Sequence, residues 1–191
     1  GEGFYPAYLG AYAFWLGLSL GPLSLHMIGQ VTGGRWARVN QGVFLAASGV
    51  LPLLALLFVP VVIGLPELYA WFPDAAVHAE PVAQKAPFLN SGFFVVRALL
   101  YFTIWIALAH FLMRSAERGQ AAAGRRLGAL GLVLYALTGS LAMIDWIMSL
   151  LPEWYSTVFA VQILAAYLLQ GTCLAGLVLA GTASAAVKFA R

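Results

Sequence analysis

Five stretches of this chain are long enough and apolar enough to cross a bilayer, and that constrains its fold more than any other feature. A helix needs about 20 mostly apolar residues to traverse ~30 Å of hydrocarbon, where an unpaired backbone has no water to bond. The runs lie near 8–31, 42–65, 91–113, 127–151 and 156–182, with turn or charge signals between them. They predict an all-α transmembrane fold: one bundle domain over 1–191 with about five membrane-spanning helices. Composition agrees. The hydrophobic fraction is 62% and the charged fraction 9%, against about half and about a quarter in soluble domains. A water-soluble globular domain is excluded, and the lipid bilayer is the first partner implied. The formal charge of +3 is not gathered on a basic, aromatic-interleaved surface, so no nucleic-acid partner is expected. The single cysteine, Cys173, excludes an internal disulfide, a CxxCH haem attachment and a cysteine-ligated cluster or zinc site. No metal and no cofactor are expected to be bound by this chain, and any electrons it handles must be carried elsewhere. The first apolar run is too long and too polar-studded for a signal peptide. The start at Gly1 leads to the expectation of a piece of a larger subunit.

The distribution of arginine sets an orientation. Arg35 and Arg38 follow the first run, Arg114, Arg118, Arg125 and Arg126 follow the third, and Lys188 and Arg191 follow the fifth. The alternate connections hold Glu2, Glu67, Asp74, Glu80 and Glu153 with only Lys85. The positive-inside rule therefore places the N-terminus outside and the C-terminus in the cytoplasm. The longest connection, Pro66 to Asn90, carries Tyr69, Trp71 and Phe72, which suit an aromatic belt lying at the membrane surface.

Ionisable groups inside hydrocarbon must face protein, water or a partner charge. Arg97 and Asp145 each lie about six residues inward from the outer ends of their runs, so both sit about 9 Å below the surface. Opposite charges at one depth on neighbouring antiparallel helices predict an ion pair. It is either a structural clamp or part of a proton or headgroup site. Around Asp145, Gly131, Tyr135, Thr138, Ala142 and Ser149 fall on one narrow arc at about 100° per residue. The arc reads as close packing through small residues or as a hydroxyl-lined path. The first helix repeats the pattern with Tyr8, Tyr12, Trp15, Ser19, Pro22, His26 and Gln30, a seam or a path for protons or quinone. The second run has no ionisable group, only Ser48, Pro52 and Pro60, which suggests lipid contact or a kinked packing element. The fifth has Gln162 and Gln170 with a small-residue ridge of Gly171, Ala175, Gly176 and Gly181, read as packing. His26 and His110 both lie about one turn from the cytoplasmic ends, the placement a bis-histidine haem needs. His110, however, points about 140° away from Arg97 around its helix. No P-loop, dinucleotide fingerprint, HExxH or nucleophile elbow occurs, so autonomous catalysis is not expected.

Four stretches carry a family likeness: VTGGRW at Val31–Trp36, LPLLALLFVPVVIGLPELYAW at Leu51–Trp71, RALLYFTIWIALA at Arg97–Ala109 and DWIMSLLPEWYSTVF at Asp145–Phe159. They resemble the F subunit of bacterial alternative complex III, a quinol:electron-acceptor oxidoreductase, within the polysulfide-reductase-type (NrfD-like) membrane proteins. The likeness runs from about Tyr8 to the fifth span. Arg97, Asp145, Trp146, Glu153, Trp154 and Tyr155 sit in its motifs, the last four expected at the outer surface. The resemblance implies a multi-pass subunit of the bacterial inner membrane. It implies quinol, with menaquinol the expected form, as the substrate of the whole complex. It also implies a sister membrane subunit that oxidises quinol and extracytoplasmic subunits carrying haem c and iron–sulfur clusters. The family has about ten helices and this chain about half, either as a partial sequence or as a shortened relative. In the family a histidine often precedes the TGG turn, where this sequence has Gly29 and Gln30, so His26 is not carried over. The leading expectation is a non-haem subunit that docks the quinol-oxidising partner, with proton conduction along Asp145, Arg97, Tyr135, Thr138, Ser149, His26 and Gln30 as a candidate role. The rival readings are a structural scaffold, a small-substrate or proton transporter and a membrane cytochrome b-like protein. A transporter would be favoured by a broken helix pair with an inverted repeat, which the sequence does not show.

Overall fold

The computed structural model describes residues 3–74 and 82–189, the side chains of 183–189 excepted. Glu2, Glu80 and Arg191, which enter the charge asymmetry above, lie outside the described residues, as does the side chain of Lys188. Among the described residues five helices are long and apolar enough to cross a membrane: Phe4–Thr32, Arg35–Ile63, Ser91–Glu117, Ala121–Leu150 and Phe159–Thr182. The fold is all-helical apart from one isolated bridge between Asp74 and Asn90. It fits a multi-pass membrane protein.

The first span is α1, Phe4–Thr32, which stops where Gly33 turns left-handed (φ 70°) and returns its N–H to Gly29 O at 2.9 Å. Only glycine takes that conformation cheaply. The next helix, α2 (Arg35–Ser48), starts at once and folds back so closely that a Cβ on Gly29 would collide with Ala37. Arg35 and Arg38 are thus on the first turn of a helix, exposed, rather than in a loop. Arg114 likewise sits in the last turn of α6 (Ser91–Glu117), and Arg125 and Arg126 in the first turns of α7 (Ala121–Trp146). Long cationic stems at helix ends keep their charge at the interface while the helix continues.

The second span is broken rather than merely kinked. After α2 come α3 (Leu51–Leu57), α4 (Val59–Ile63) and the short α5 (Leu65–Leu68), each opened by a proline in its first turn. Proline cannot donate to the preceding turn, so the hydrogen-bond ladder restarts each time. At Phe58 the N–H bonds Ala55 O instead of Leu54 O, and Val61 N–H bonds Phe58 O instead of Leu57 O. The two released carbonyls are taken by α1: Tyr12 OH donates to Leu54 O (2.9 Å) and Tyr8 OH to Leu57 O (2.7 Å). Here the tyrosines of the α1 face have a structural duty that the sequence reading had left open. Only one span is interrupted in this way, not a pair.

Helix α1 is the hub, in contact with α2, α7 and α8 (Phe159–Phe189), while α6 packs on α7. Without bulk water to drive helices together, association rests on close packing and hydrogen bonds. Small residues supply the proximity. A Cβ on Gly21 would strike the Tyr167 carbonyl, and one on Gly171 would lie 2.8 Å from Gly21 C. The ridge expected on α8 is split: Gly171 and Ala175 pack inward, but Gly176 and Gly181 are exposed and a Cβ there would meet nothing. The two halves of that ridge point in different directions because the helix turns by about 100° per residue.

At the end of the bundle that bears the 65–90 connection, aromatic rings fill the core. Phe58, Phe94, Phe102, Trp105 and Trp146 interlock, with Phe58–Trp146 centroids 4.5 Å apart. Tyr69 and Trp71 join them, 3% and 0% exposed. That corrects the expected surface belt at these two residues, which turn inward because Tyr69 OH finds Trp146 O at 2.9 Å and the Trp71 ring packs on Phe94; Phe72 is half-buried. Burial, and after it the charge of Asp145, push the Tyr69 hydroxyl well above its ordinary value, so it stays protonated and donating.

Candidate functional site: a buried ion pair and a polar seam

On α6, Asn90 caps the first turn by accepting from Phe93 N–H at 2.8 Å, and two turns on Arg97 projects into the bundle. On α7, Asp145 lies in the last turn before the 3-10 segment Met148–Leu150, where Ser149 Oγ donates back to the Asp145 carbonyl. The two side chains meet as a fork. Arg97 Nε lies 2.7 Å from Asp145 Oδ2 and Nη2 lies 2.8 Å from Oδ1. Tyr101, one turn along α6 from Arg97, donates to the same Oδ2 at 2.8 Å. Asp145 is 0% exposed and Arg97 6%. The remaining guanidinium edge donates from Nη1 to Phe88 O at 2.9 Å, and the Phe88 and Phe93 rings lie 3.9 and 4.2 Å from its Cζ. Each partner's charge is thus neutralised and hydrogen-bonded, the condition under which a buried pair persists. The arrangement can clamp α6, α7 and the 65–90 connection. It can also hold a proton-accepting carboxylate next to a hydroxyl away from lipid.

The α7 stripe read from sequence is buried throughout: Gly131, Tyr135, Thr138, Ala142, Asp145 and Ser149 all face protein. Its parts do different things. Thr138 Oγ1 accepts from Trp105 Nε1 at 2.9 Å and donates to Leu134 O at 2.7 Å, stitching α7 to α6. Gly131 admits Met27, and Gly128 brings α7 to within 3.0 Å of the Met27 carbonyl, measured from a built Cβ. Those glycines are packing, as one of the two sequence readings had it. Farther along α1, His26 is 1% exposed and its Nε2 lies 3.4 Å from the Gln30 amide nitrogen, a long contact in which the ring accepts. His110 is exposed on α6 with its ring against Phe111, so the two histidines look into different surroundings. Trp15, expected on the polar face of α1, is 60% exposed instead.

The four motif residues expected at the outer surface separate. Glu153, Trp154 and Tyr155 are exposed in the turn after the 3-10 segment, the last two at 48% and 76%. Trp146 is 2% exposed, inside the aromatic core. Asp145 and Trp146 point about 100° apart on α7, and protein covers both directions: Arg97 and Tyr101 meet the acid, Phe58 and Phe102 the indole. Lys85, whose ammonium donates to Pro152 O, borders a groove of about 290 Å³ beside Trp154 and Tyr155. A longer groove of about 620 Å³ runs between α1 and the broken span, lined by Tyr8, Tyr12, Trp15, Leu53 and Leu57. Among the described residues no three His, Cys, Asp or Glu side chains gather where a metal could be held. Tyr101 and Phe88 were not singled out from the sequence as partners of the pair, and Tyr69 was read only as part of a surface belt. Tyr101 had a signal, its four-residue spacing from Arg97; the other two reach the pair through the connection and had none.

Compared with models of known protein families and with curated proteins, the sequence matches none.

Proposed function

We propose that this chain is an integral membrane subunit of a respiratory quinol:electron-acceptor oxidoreductase of the alternative complex III type, seated in a bacterial inner membrane. Its N-terminus faces outward and its C-terminus the cytoplasm. It docks the quinol-oxidising sister subunit and contributes a polar route for protons. The observation that carries this reading is Asp145. It is a fully enclosed carboxylate in the DW…PEWYST motif, held by Arg97 and Tyr101 at one end of a seam of hydroxyls. Quinol oxidation releases protons, and acid and hydroxyl side chains carry them where hydrocarbon does not. The exposed Trp154 and Tyr155 at the same end supply a surface for an extracytoplasmic partner. Mass spectrometry of a native purification tests the assignment. Co-purifying multihaem and iron–sulfur subunits support it, whereas a lone homo-oligomer rejects it.

A second reading has its own observation. Three guanidinium nitrogens of Arg97 and both carboxylate oxygens of Asp145 are already engaged by each other, Tyr101 and Phe88 O, which favours a static clamp in a scaffold subunit. Quinol turnover of the assembled complex separates the two, as set out in the Discussion.

A further inference from the structure

We infer that the seam where α1, α7 and α8 meet holds an internal water site, bounded by Tyr135 OH, Tyr167 OH and Gln170 Oε1. Tyr167 OH and Gln170 Oε1 are buried with no hydrogen-bond partner within the chain, and Tyr135 OH has only the Ser24 hydroxyl within range. Tyr135 and Tyr167 are only 5% and 4% exposed, so neither reaches the perimeter of the bundle. They come from two helices and converge. A Cβ on Gly17 of α1 would fall on both Gln170 Oε1 and the Tyr167 ring, and one on Gly139 of α7 would lie 3.1 Å from Leu164 of α8 and 3.8 Å from the Tyr135 ring. The Ser24 hydroxyl also faces Tyr135, but its proton goes to Gly21 O at 2.7 Å.

The helices around the cluster are packed closely. Helix α8 already touches α1 backbone to backbone at Gly21, where a Cβ would collide with the Tyr167 carbonyl, and Leu164 fills the space beside Gly139 of α7. These contacts fix where the polar groups of the cluster stand. Gly17 is close to the midpoint of α1 (Phe4–Thr32), so the cluster is far from either helix end. At that depth a polar atom has neither headgroups nor bulk water to turn to. Buried waters characteristically bridge two to four such groups, and an unbonded hydroxyl or amide is among the least tolerated features of a protein interior. Two hydroxyls and an amide oxygen supply both donors and acceptors, so one or two water molecules satisfy all three. In the proton-conducting reading proposed above, on which this clause rests, the site is the mid-membrane link between Thr138 and the His26–Gln30 end.

Hydroxyl-radical labelling driven by X-ray pulses tests the site without quinol turnover, because the radicals arise from water where it is bound. On the full chain in lipid nanodiscs, Tyr135 and Tyr167 should be oxidised at rates nearer to exposed Tyr155 than to Tyr101, which is bonded to Asp145. Thermal unfolding of Tyr167→Phe gives the second reading. Loss of a hydroxyl bonded to water lowers Tm by about 2–4 °C, whereas loss of an unbonded one leaves Tm unchanged or raises it. Protection of both tyrosines, or a Tm that holds or rises in Tyr167→Phe, overturns the proposal. Where the variant fails to fold, labelling of the unsubstituted chain decides. Failure of the labelling leaves the respiratory assignment untouched, since that stands on the co-purifying subunits.

Discussion

Replacing Asp145 by asparagine leaves Arg97 charged and enclosed, facing one neutral amide oxygen in place of a two-oxygen carboxylate. Breaking one side of a buried pair costs about 3–5 kcal/mol, more than removing both charges together. Yield of folded chain should therefore fall in Asp145→Asn and recover in part when Arg97→Gln is added. Measured by quantitative size-exclusion chromatography, equal yields of single and double variants would dismiss the clamp. If the carboxylate also carries protons, variants that do assemble separate further: Asp145→Glu retains partial quinol oxidation and Asp145→Asn slows it. Normal yield with normal turnover in Asp145→Asn dismisses both roles. This pair was legible in the sequence because depth along a span is fixed by residue count, and two opposite charges at one depth have little else to do. Trp146 was not. A tryptophan near a span end suits an interfacial belt and a core equally well, and only the partner surface decides.

The broken span and its two tyrosines make an element-scale test. In Tyr12→Phe the Leu54 carbonyl, 4% exposed as a residue, loses the Tyr12 hydroxyl as its donor, a loss of about 1–3 kcal/mol. Tyr8 lies one turn nearer the helix end, where water and headgroups can replace its bond to Leu57 O, so Tyr8→Phe should be milder. Chemical unfolding in mild denaturant checks the order; a milder Tyr12 variant would contradict it. A second test concerns the α1–α8 contact. Gly21→Val places a branched side chain where the Tyr167 carbonyl now sits, so α8 must move away. Proteolysis of the connection before Phe159 should accelerate in that variant, and unchanged digestion would show that α8 docks some other way. The five spans themselves were readable, since length and hydropathy together set them. The breaks in the second were only half readable: Pro52 and Pro60 announce a weak ladder, but which helix satisfies the released carbonyls is a tertiary fact.

Among the described residues Arg35, Arg38, Arg114, Arg118, Arg125 and Arg126 lie at one end of the helices, and the described part of the 65–90 connection lies at the other, with the paired Arg97. After Cys173→Ala, a cysteine at 118 should react with an impermeant reagent only in opened cells, and one at 155 in intact cells. External labelling at 118 overturns the orientation. The interior seam of Tyr167 and Gln170 was the least legible part, because Gln170 read as packing beside a small-residue ridge and Tyr167 was not singled out at all. Their significance comes from three helices meeting, which no single periodicity encodes. The Arg97–Asp145 fork has one more consequence at this scale. Its two charges are equal, opposite and at one depth, so the membrane voltage does no net work on the pair. Protonation of Asp145 would leave one positive charge fixed part-way into the electric field. There, each 100 mV would act on it with a fraction of the ~2.3 kcal/mol that a full crossing carries. A single proton would thus convert a voltage-blind fastening into one on which the energised membrane pulls.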